Sequence, residues 1–192
     1  MPEEQQEGSE KYNRLYLLII ERYKDYIEEK ERLSVAELPT LVTPYNPSVV
    51  KKADEIREGF DSYSYDLNFY EAGAKAFDFV KGNIETVVLP LQFWLTPEET
   101  LEFGMGDEID KNILLCSMLI ALGNPSAKVL MHIKDGTRKS VVYFEFKDRV
   151  HMFDFQEGIS TFGSTEEMMK YFNIGEESTA YEFNDRTYKD IA

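Results

Sequence analysis

The sequence predicts an α+β fold in which a helical N-terminal half precedes a small antiparallel sheet. Apolar residues recur every three or four positions along residues 11–33, which is typical of an amphipathic helix. Residues 108–122 are apolar on nearly every side, which predicts a buried helix. Segments of alternating polarity, typical of half-buried strands, then follow at 128–134, 139–147 and 149–155.

The composition limits the classes of function. The 192 residues include 36 acidic and 21 basic side chains, which gives a formal net charge of −15. Contacts to phosphate need clustered Lys and Arg, so we expect neither a nucleic-acid partner nor binding to a membrane. One cysteine excludes a disulfide framework and a multi-cysteine metal centre, and nothing in the sequence indicates a cofactor. The acidic N-terminus is unlike a signal peptide. The longest apolar run, at 113–122, falls well short of the roughly 20 residues that cross a bilayer. We therefore expect a cytoplasmic location.

The N-terminal half is predicted to be helical. Residues 1–10 contain several glutamates and no basic residue before position 11, so we expect a flexible acidic tail. The helix at 11–33 carries one apolar stripe, formed by Leu15, Leu18, Ile19, Tyr23, Tyr26 and Ile27. That stripe can pack on its own domain or on a second copy of the chain, and the sequence does not separate a monomer from a homodimer.

Further short elements complete this half of the chain. A capping pattern at Ser34 and Glu37 predicts a short helix that Pro39 ends. We predict further helices at 48–60 and 69–80, followed by an apolar strand-like piece at 86–91.

The second half carries clear capping and turn signals. Thr96 and Pro97 begin a short helix that Gly104 ends, and Asp107 caps the apolar helix with Asp110 three positions later. Beyond that helix, an Asp-Gly pair at 135–136 predicts a hairpin turn between the first two strands.

A last helix and strand close the chain. Ser164 and Glu167 form a capping pattern for a helix that ends near Phe172, and residues 180–183 read as a short strand. We therefore divide the chain into an acidic tail at 1–10, a helical region at 11–84 and a core at 85–192, forming one compact domain.

Five segments together resemble one known family. Residues 94–101 read WLTPEETL, similar to the W-x-S/T-P-E-E-T-L entry segment of prokaryotic transglutaminase-like proteins, whose fold is that of papain-like cysteine proteases. Residues 104–111 read GMGDEIDK and resemble the family's G-x-G-D-C-x-D-K nucleophile motif, and 114–123 resemble the following L-L-x-S-L-L-R-A-L-G helix. Residues 143–146 look like the H-x-W-V-E-V strand, and 152–154 like the strand with the last catalytic aspartate.

The resemblance covers residues 85–157 and implies a Cys–His–Asp triad, of which only the aspartate is present. Glu108 stands at the nucleophile position and Asp154 at the aspartate position. Counting back from Tyr143 puts Val141 at the histidine position, and a shift of one residue would put Ser140 or Val142 there. None of these is a base, so neither thiolate attack nor proton transfer by imidazole has an agent. We therefore expect a non-catalytic domain that acts by binding or scaffolding, with a protein or peptide as its partner.

A hydrolase of the same superfamily is the alternative. Cys116 could act as a displaced nucleophile, although its place inside an apolar helix favours a buried, inert thiol. His132 and His151 do not fall at the family's histidine position. A divalent cation could instead be held by an acidic cluster formed by Asp107, Glu108, Asp110 and Asp154. The simpler interpretation is that the first three of these residues serve the start of the helix.

Aromatic residues offer a further hypothesis. Those that could cover a groove at the former active-site face are Tyr63, Tyr65, Phe69, Tyr70, Phe77, Phe93 and Trp94. Aromatics at helical spacing are more often core residues, so the sequence favours packing over a ligand surface.

Overall fold

The computed structural model describes residues 3–31, 35–88, 93–134, 137–172, 174 and 179–191. The chain divides into two compact units. One unit comprises Met1–Leu33 with Val88–Phe93, and the other comprises Ser34–Val87 with Trp94–Ala192. The helices that follow the first one therefore belong to the same unit as the sheet.

The first unit contains one long helix, α1 (Glu3–Glu31). This helix includes residues 3–10 of the predicted acidic tail. Their Glu and Gln residues are good helix formers, and Gly8 alone does not break the run.

The second unit contains a 3-10 helix and five α-helices. The 3-10 helix is Val35–Leu41, and the α-helices are α2 (Pro47–Glu58), α3 (Tyr65–Asn83), α4 (Pro97–Phe103), α5 (Glu108–Ala121) and α6 (Thr165–Tyr171). The expected capping signals are present: Thr96 forms a complete capping box with Glu99, and Gly104 ends α4 in the left-handed conformation with φ of 64°. No helix of the described residues combines the length and the apolar character needed to cross a membrane.

Two sheets accompany these helices. Two short parallel strands, β1 (Glu85–Thr86) and β2 (Met105–Gly106), pair just before α5. The main sheet is antiparallel and comprises β3 (Lys128–Lys134), β4 (Thr137–Phe146), β5 (Arg149–Asp154), β6 (Gly158–Phe162), β7 (Thr179–Phe183) and β8 (Tyr188–Asp190). Its order is β6-β5-β4-β3-β7-β8.

The predicted strand arrangement can be compared directly with these bounds. The first three predicted strands are β3, β4 and β5, and the pairing of Lys134 with Thr137 confirms the first hairpin, although its turn at 135–136 lies outside the described residues. Of the strand predicted at 86–91, residue 86 lies in β1, residues 87–88 are not in a strand, and residues 89–91 lie outside the described part of the chain.

The main core lies between the sheet and the helices α2, α3 and α5. Every residue of α5 from Ile109 to Ile120 is buried, as predicted for a central helix. On the sheet face toward these helices, Phe144 packs edge-on against Phe69 of α3, and Phe153 packs against Phe77. A smaller core on the opposite face includes residues of the sheet and of α6: Leu130, Val141, Tyr143, Val150, Met152, Met168 and Phe172.

The aromatic residues predicted as a core or a groove are mostly core. Phe69 and Phe77 are buried, and Tyr65 packs edge-on against Phe146 at a centroid distance of 5.5 Å. Tyr63 donates a hydrogen bond to the carbonyl of Leu122 at 2.7 Å. These contacts fit the packing interpretation, since the rings fill space between α3, α5 and the sheet.

Candidate functional site

The site starts at the N-terminus of α5, where two aspartates satisfy free backbone N–H groups. The Asp107 Oδ1 atom accepts hydrogen bonds from the backbone N–H groups of Ile109 at 2.7 Å and Asp110 at 2.9 Å. In return, Asp110 Oδ2 accepts from the Asp107 N–H at 2.8 Å, and its Oδ1 accepts from the Leu95 N–H at 2.8 Å. This capping box fixes both the start of α5 and the segment that leads into α4.

Asp110 is fully buried beside a second carboxylate. Burial and the negative charge of Asp107 raise the pKa of Asp110 to about 7, although the backbone N–H groups of Asp107 and Leu95 oppose this change. On the outer side of the box, Arg138 donates to Asp107 Oδ2 at 3.2 Å.

Glu108, which the sequence resemblance places at the nucleophile position, is the first residue of α5 and is hydrogen-bonded to the sheet. Its Oε1 atom accepts hydrogen bonds from the backbone N–H of Ser140 at 3.1 Å and the Ser140 hydroxyl at 3.2 Å. Its Oε2 atom accepts from the Gln156 amide at 2.9 Å. Asn112, one turn later, donates to the Glu108 carbonyl and to Ser140 Oγ, both at 2.9 Å. Carboxylate, hydroxyl and two amides therefore form one connected network.

Ser140, and not Val141, faces Glu108. Val141 is fully buried in the core on the α6 side of the sheet, because alternate residues of β4 point to opposite faces. Of the residues that the sequence offers for the histidine position, Ser140 is therefore the one beside Glu108. Neither Val141 nor Ser140 is a base at neutral pH.

Asp154 is buried and is connected to Glu108 through Gln156, whose side-chain amide donates to Glu108 and whose backbone N–H donates to Asp154. Its Oδ1 atom accepts hydrogen bonds from the backbone N–H groups of Gln156 at 2.7 Å and Glu157 at 3.1 Å, which tightens the turn after β5. Its Oδ2 atom lies 3.2 Å from Lys139 Nζ, and that lysine also reaches Glu157 at 2.7 Å. Lys139 shares the α6-side face of β4 with Val141, so Asp154 also takes part in an ion-pair cluster on that side.

The acidic residues suggested as metal ligands are divided among these separate roles. Asp107 and Asp110 cap α5, Glu108 bonds to Ser140 and Gln156, and Asp154 pairs with Lys139. Within the ranges that the structure describes, no group of three or more His, Cys, Asp or Glu side chains is arranged to hold a metal ion.

The thiol and both imidazoles of the chain lie elsewhere. Cys116 is fully buried in the middle of α5, and burial raises the pKa of its thiol far above the ordinary range. His132 follows Leu130 on the α6-side face of β3, and burial and nearby lysines lower its pKa. His151 bonds to the Thr161 hydroxyl at 3.0 Å and packs against Tyr70, and its pKa is lowered chiefly by burial. None of the three has the exposure and partners that a nucleophile–base pair needs.

Comparison with known proteins identifies the fold. No protein-family model matches this chain, and no curated protein sequence does. Among solved structures, it is similar to LapG of Legionella pneumophila in an EGTA-treated form, with a TM-score of 0.51 and 17% sequence identity over 83% of this chain and 87% of that one. A second LapG structure gives a TM-score of 0.50 and 18% identity, with coverage of 81% and 87%. These are proteins of the transglutaminase-like, papain-like fold.

The fold of this chain is transglutaminase-like. A candidate protease from Parabacteroides distasonis is also similar, with a TM-score of 0.50 and 16% identity over 82% of this chain and 30% of that larger one. Identities this low establish the fold alone. The transglutaminase-like fold accounts for the position of Glu108 at the start of a buried helix packed on the sheet.

The sequence pointed to Glu108 but missed most of its partners. Gln156 follows β5 in an exposed turn, where no spacing rule marks it. Asn112 lies four positions after Glu108, one helical turn away, which was a usable signal. Ser140 was also identifiable, because residues two positions apart in a strand point to the same face, and Ser140 lies two positions before Val142.

Proposed function

We propose that this chain is a transglutaminase-like domain that performs no thiol-dependent hydrolysis and acts by binding a protein or peptide. The observation that carries this proposal is the carboxylate of Glu108 at the start of α5, which is hydrogen-bonded to Ser140 and Gln156. In a thiol hydrolase of this fold, that position would need a nucleophile with a base beside it.

The chemistry of the network supports a non-catalytic role. The Glu108 carboxylate accepts hydrogen bonds from three donors, so both of its oxygens are already engaged within the protein. The hydroxyl of Ser140 is the other oxygen nucleophile beside it, but Ser140 is 3% exposed and its Oγ atom also accepts from Asn112. A substrate carbonyl would have to displace these contacts to reach it.

The surroundings favour a polar recognition surface at the same place. Glu108 is half-buried, Gln156 is exposed, and Arg138 projects from the neighbouring edge toward Asp107. A peptide that brings amide or ammonium groups to this rim could replace the bond from Gln156 without disturbing the buried part of the network.

Alkylation of a cysteine placed at the site tests whether the surface is open. The Glu108→Cys variant puts a thiol at the N-terminus of α5, where the helix dipole favours the thiolate. We expect iodoacetamide to modify this variant once in the native state and to leave the wild type unmodified, as measured by intact mass. Glu108→Cys with Ser140→His should react faster near pH 6.5, since the imidazole can accept the proton.

Two further measurements decide between binding and hydrolysis. Peptides selected from a display library on the wild-type chain should protect the Glu108→Cys thiol from alkylation, and selected peptides that leave the rate unchanged would contradict binding at this surface. Labelled casein should not be cleaved by the wild type. Cleavage that disappears in Cys116→Ser or with a metal chelator would instead establish the hydrolase alternative.

A further inference from the structure

The surface of α1 carries an apolar stripe that is open to solvent. Leu15, Tyr16, Ile19, Tyr23 and Tyr26 are between 45% and 62% exposed. At 100° per residue they occupy one face of the helix, together with the half-buried Ile20 and Ile27. Charged residues lie on the opposite face, where Lys24 pairs with Glu28, and the exposed Leu17 and Leu18 also lie outside the stripe.

Six residues of the stripe lie symmetrically about Glu21. Leu15 and Ile27 lie at equal distances along the helix from that residue, as do Tyr16 and Tyr26, and Ile19 and Tyr23. Two copies of α1 laid antiparallel with their Glu21 residues at the same level would therefore match each of these residues with an apolar residue. An isologous contact needs this kind of self-complementary surface.

The distribution of charge along α1 favours the antiparallel arrangement. Glutamates at 3, 4, 7 and 10 precede the first basic residue of the helix, and basic residues occur only from position 11 onward. A parallel pair would place these glutamates of both copies side by side, and like charges at that spacing repel. An antiparallel pair separates them and also opposes the two helix dipoles.

The exposed area is sufficient for a pair of helices. Each half-exposed large side chain leaves on the order of 100 Å² open, so pairing two stripes buries on the order of 1,000 Å² in total, which is the lower end for specific interfaces. We propose that α1 is a dimerisation helix that pairs antiparallel with α1 of a second copy of this chain. The net charge of −15 on each copy opposes this association, and added salt should weaken that repulsion.

Sedimentation of matched variants tests the proposal. The wild type should sediment at twice the mass of one chain, and its dissociation constant should fall severalfold when sodium chloride rises from about 50 mM to about 500 mM. Ile19→Glu places a charge in the stripe and should weaken the dimer at least tenfold. Leu17→Glu, an equally exposed apolar position 60° outside the stripe, should not. The proposal would be overturned by a monomeric wild type, by dissociation constants that rise equally in the two variants, or by a dimer that salt weakens.

Disulfide trapping tests the orientation, because the native Cys116 is buried and cannot compete. Positions 16 and 26 lie on the helical face of the stripe at equal distances from Glu21. Oxidation of a mixture of Tyr16→Cys and Tyr26→Cys should join the two variants to each other, while each variant alone stays unlinked. Efficient linkage of either variant to itself would show a parallel pair and overturn the antiparallel arrangement.

Discussion

The ionisation of Asp110 should make the free energy of unfolding depend on pH. The folded pKa of about 7 lies above the ordinary value of 3.8, because the carboxyl is fully buried and faces Asp107. Between these two values the folded state holds a proton that the unfolded state has lost. The free energy of unfolding therefore decreases as pH rises through this window and levels off above the folded pKa.

The size of this effect follows from the distance between the assay pH and the folded pKa. The lower pH of 5.5 lies about 1.5 units below the folded pKa, and pH 8.0 lies above it. The free energy of unfolding should therefore differ by about 2 kcal/mol between the two pH values, at 1.36 kcal/mol per unit. Asp110→Asn removes the titration. It also replaces one acceptor of the capping box by a donor, which lowers stability at both pH values by about 1–3 kcal/mol.

Urea unfolding at the two pH values, followed by fluorescence of the single tryptophan, Trp94, measures the difference. The wild type should lose about 2 kcal/mol more than Asp110→Asn between pH 5.5 and pH 8.0. Asp66→Asn, at an exposed position in the first turn of α3, is the control and should follow the wild type. Equal losses in the wild type and Asp110→Asn would refute the proposed titration of Asp110.

Three other substitutions test the packing around the site and the sheet. Gly106→Ala would place its Cβ atom 2.9 Å from the Asp110 Cβ atom, so we expect the free energy of unfolding to fall by about 1–3 kcal/mol. Calorimetry should show a lower melting temperature, and an unchanged melting temperature would contradict this contact. Glu182→Gln removes the charge that lies 2.6 Å from Lys128 Nζ, and urea titration should show a loss of about 1–3 kcal/mol, with no change arguing against a structural ion pair. Phe153→Ala should cost about 3–5 kcal/mol, and a loss below 1 kcal/mol would mean that the core repacks around this fully buried ring.

The elements that the sequence predicted well are those with strong local signals. The cap at Asp107 and the apolar character that follows it gave α5 to within one residue of its observed bounds. The alternation of polarity likewise predicted the bounds of β3, because successive side chains of a strand point to opposite faces of the sheet and meet different neighbours there. β6 was missed, since Gly158–Phe162 is a short strand at the sheet edge with little apolar alternation.

The site was predicted only in part, for a reason of register. The family motif was aligned through Tyr143, which selected Val141, whereas the strand's own alternation groups Ser140 with the core-facing Val142 and Phe144. Side-chain direction in a strand changes at every residue, so a displacement of one position exchanges the two faces. The periodicity of β4 therefore indicates Ser140 as the residue of this strand that faces Glu108.

The carboxylates at the start of α5 affect which ligands can bind at the N-terminus of this helix. The free N–H groups of a helix N-terminus attract anions, but here the Asp107 side chain already accepts from two of them, and the Glu108 carboxylate lies beside it. The helix thus carries its own counter-ions, and phosphate, sulfate or the carboxylate of a cleaved peptide would meet repulsion there. Selectivity against anionic ligands is therefore built into the first turn of the helix.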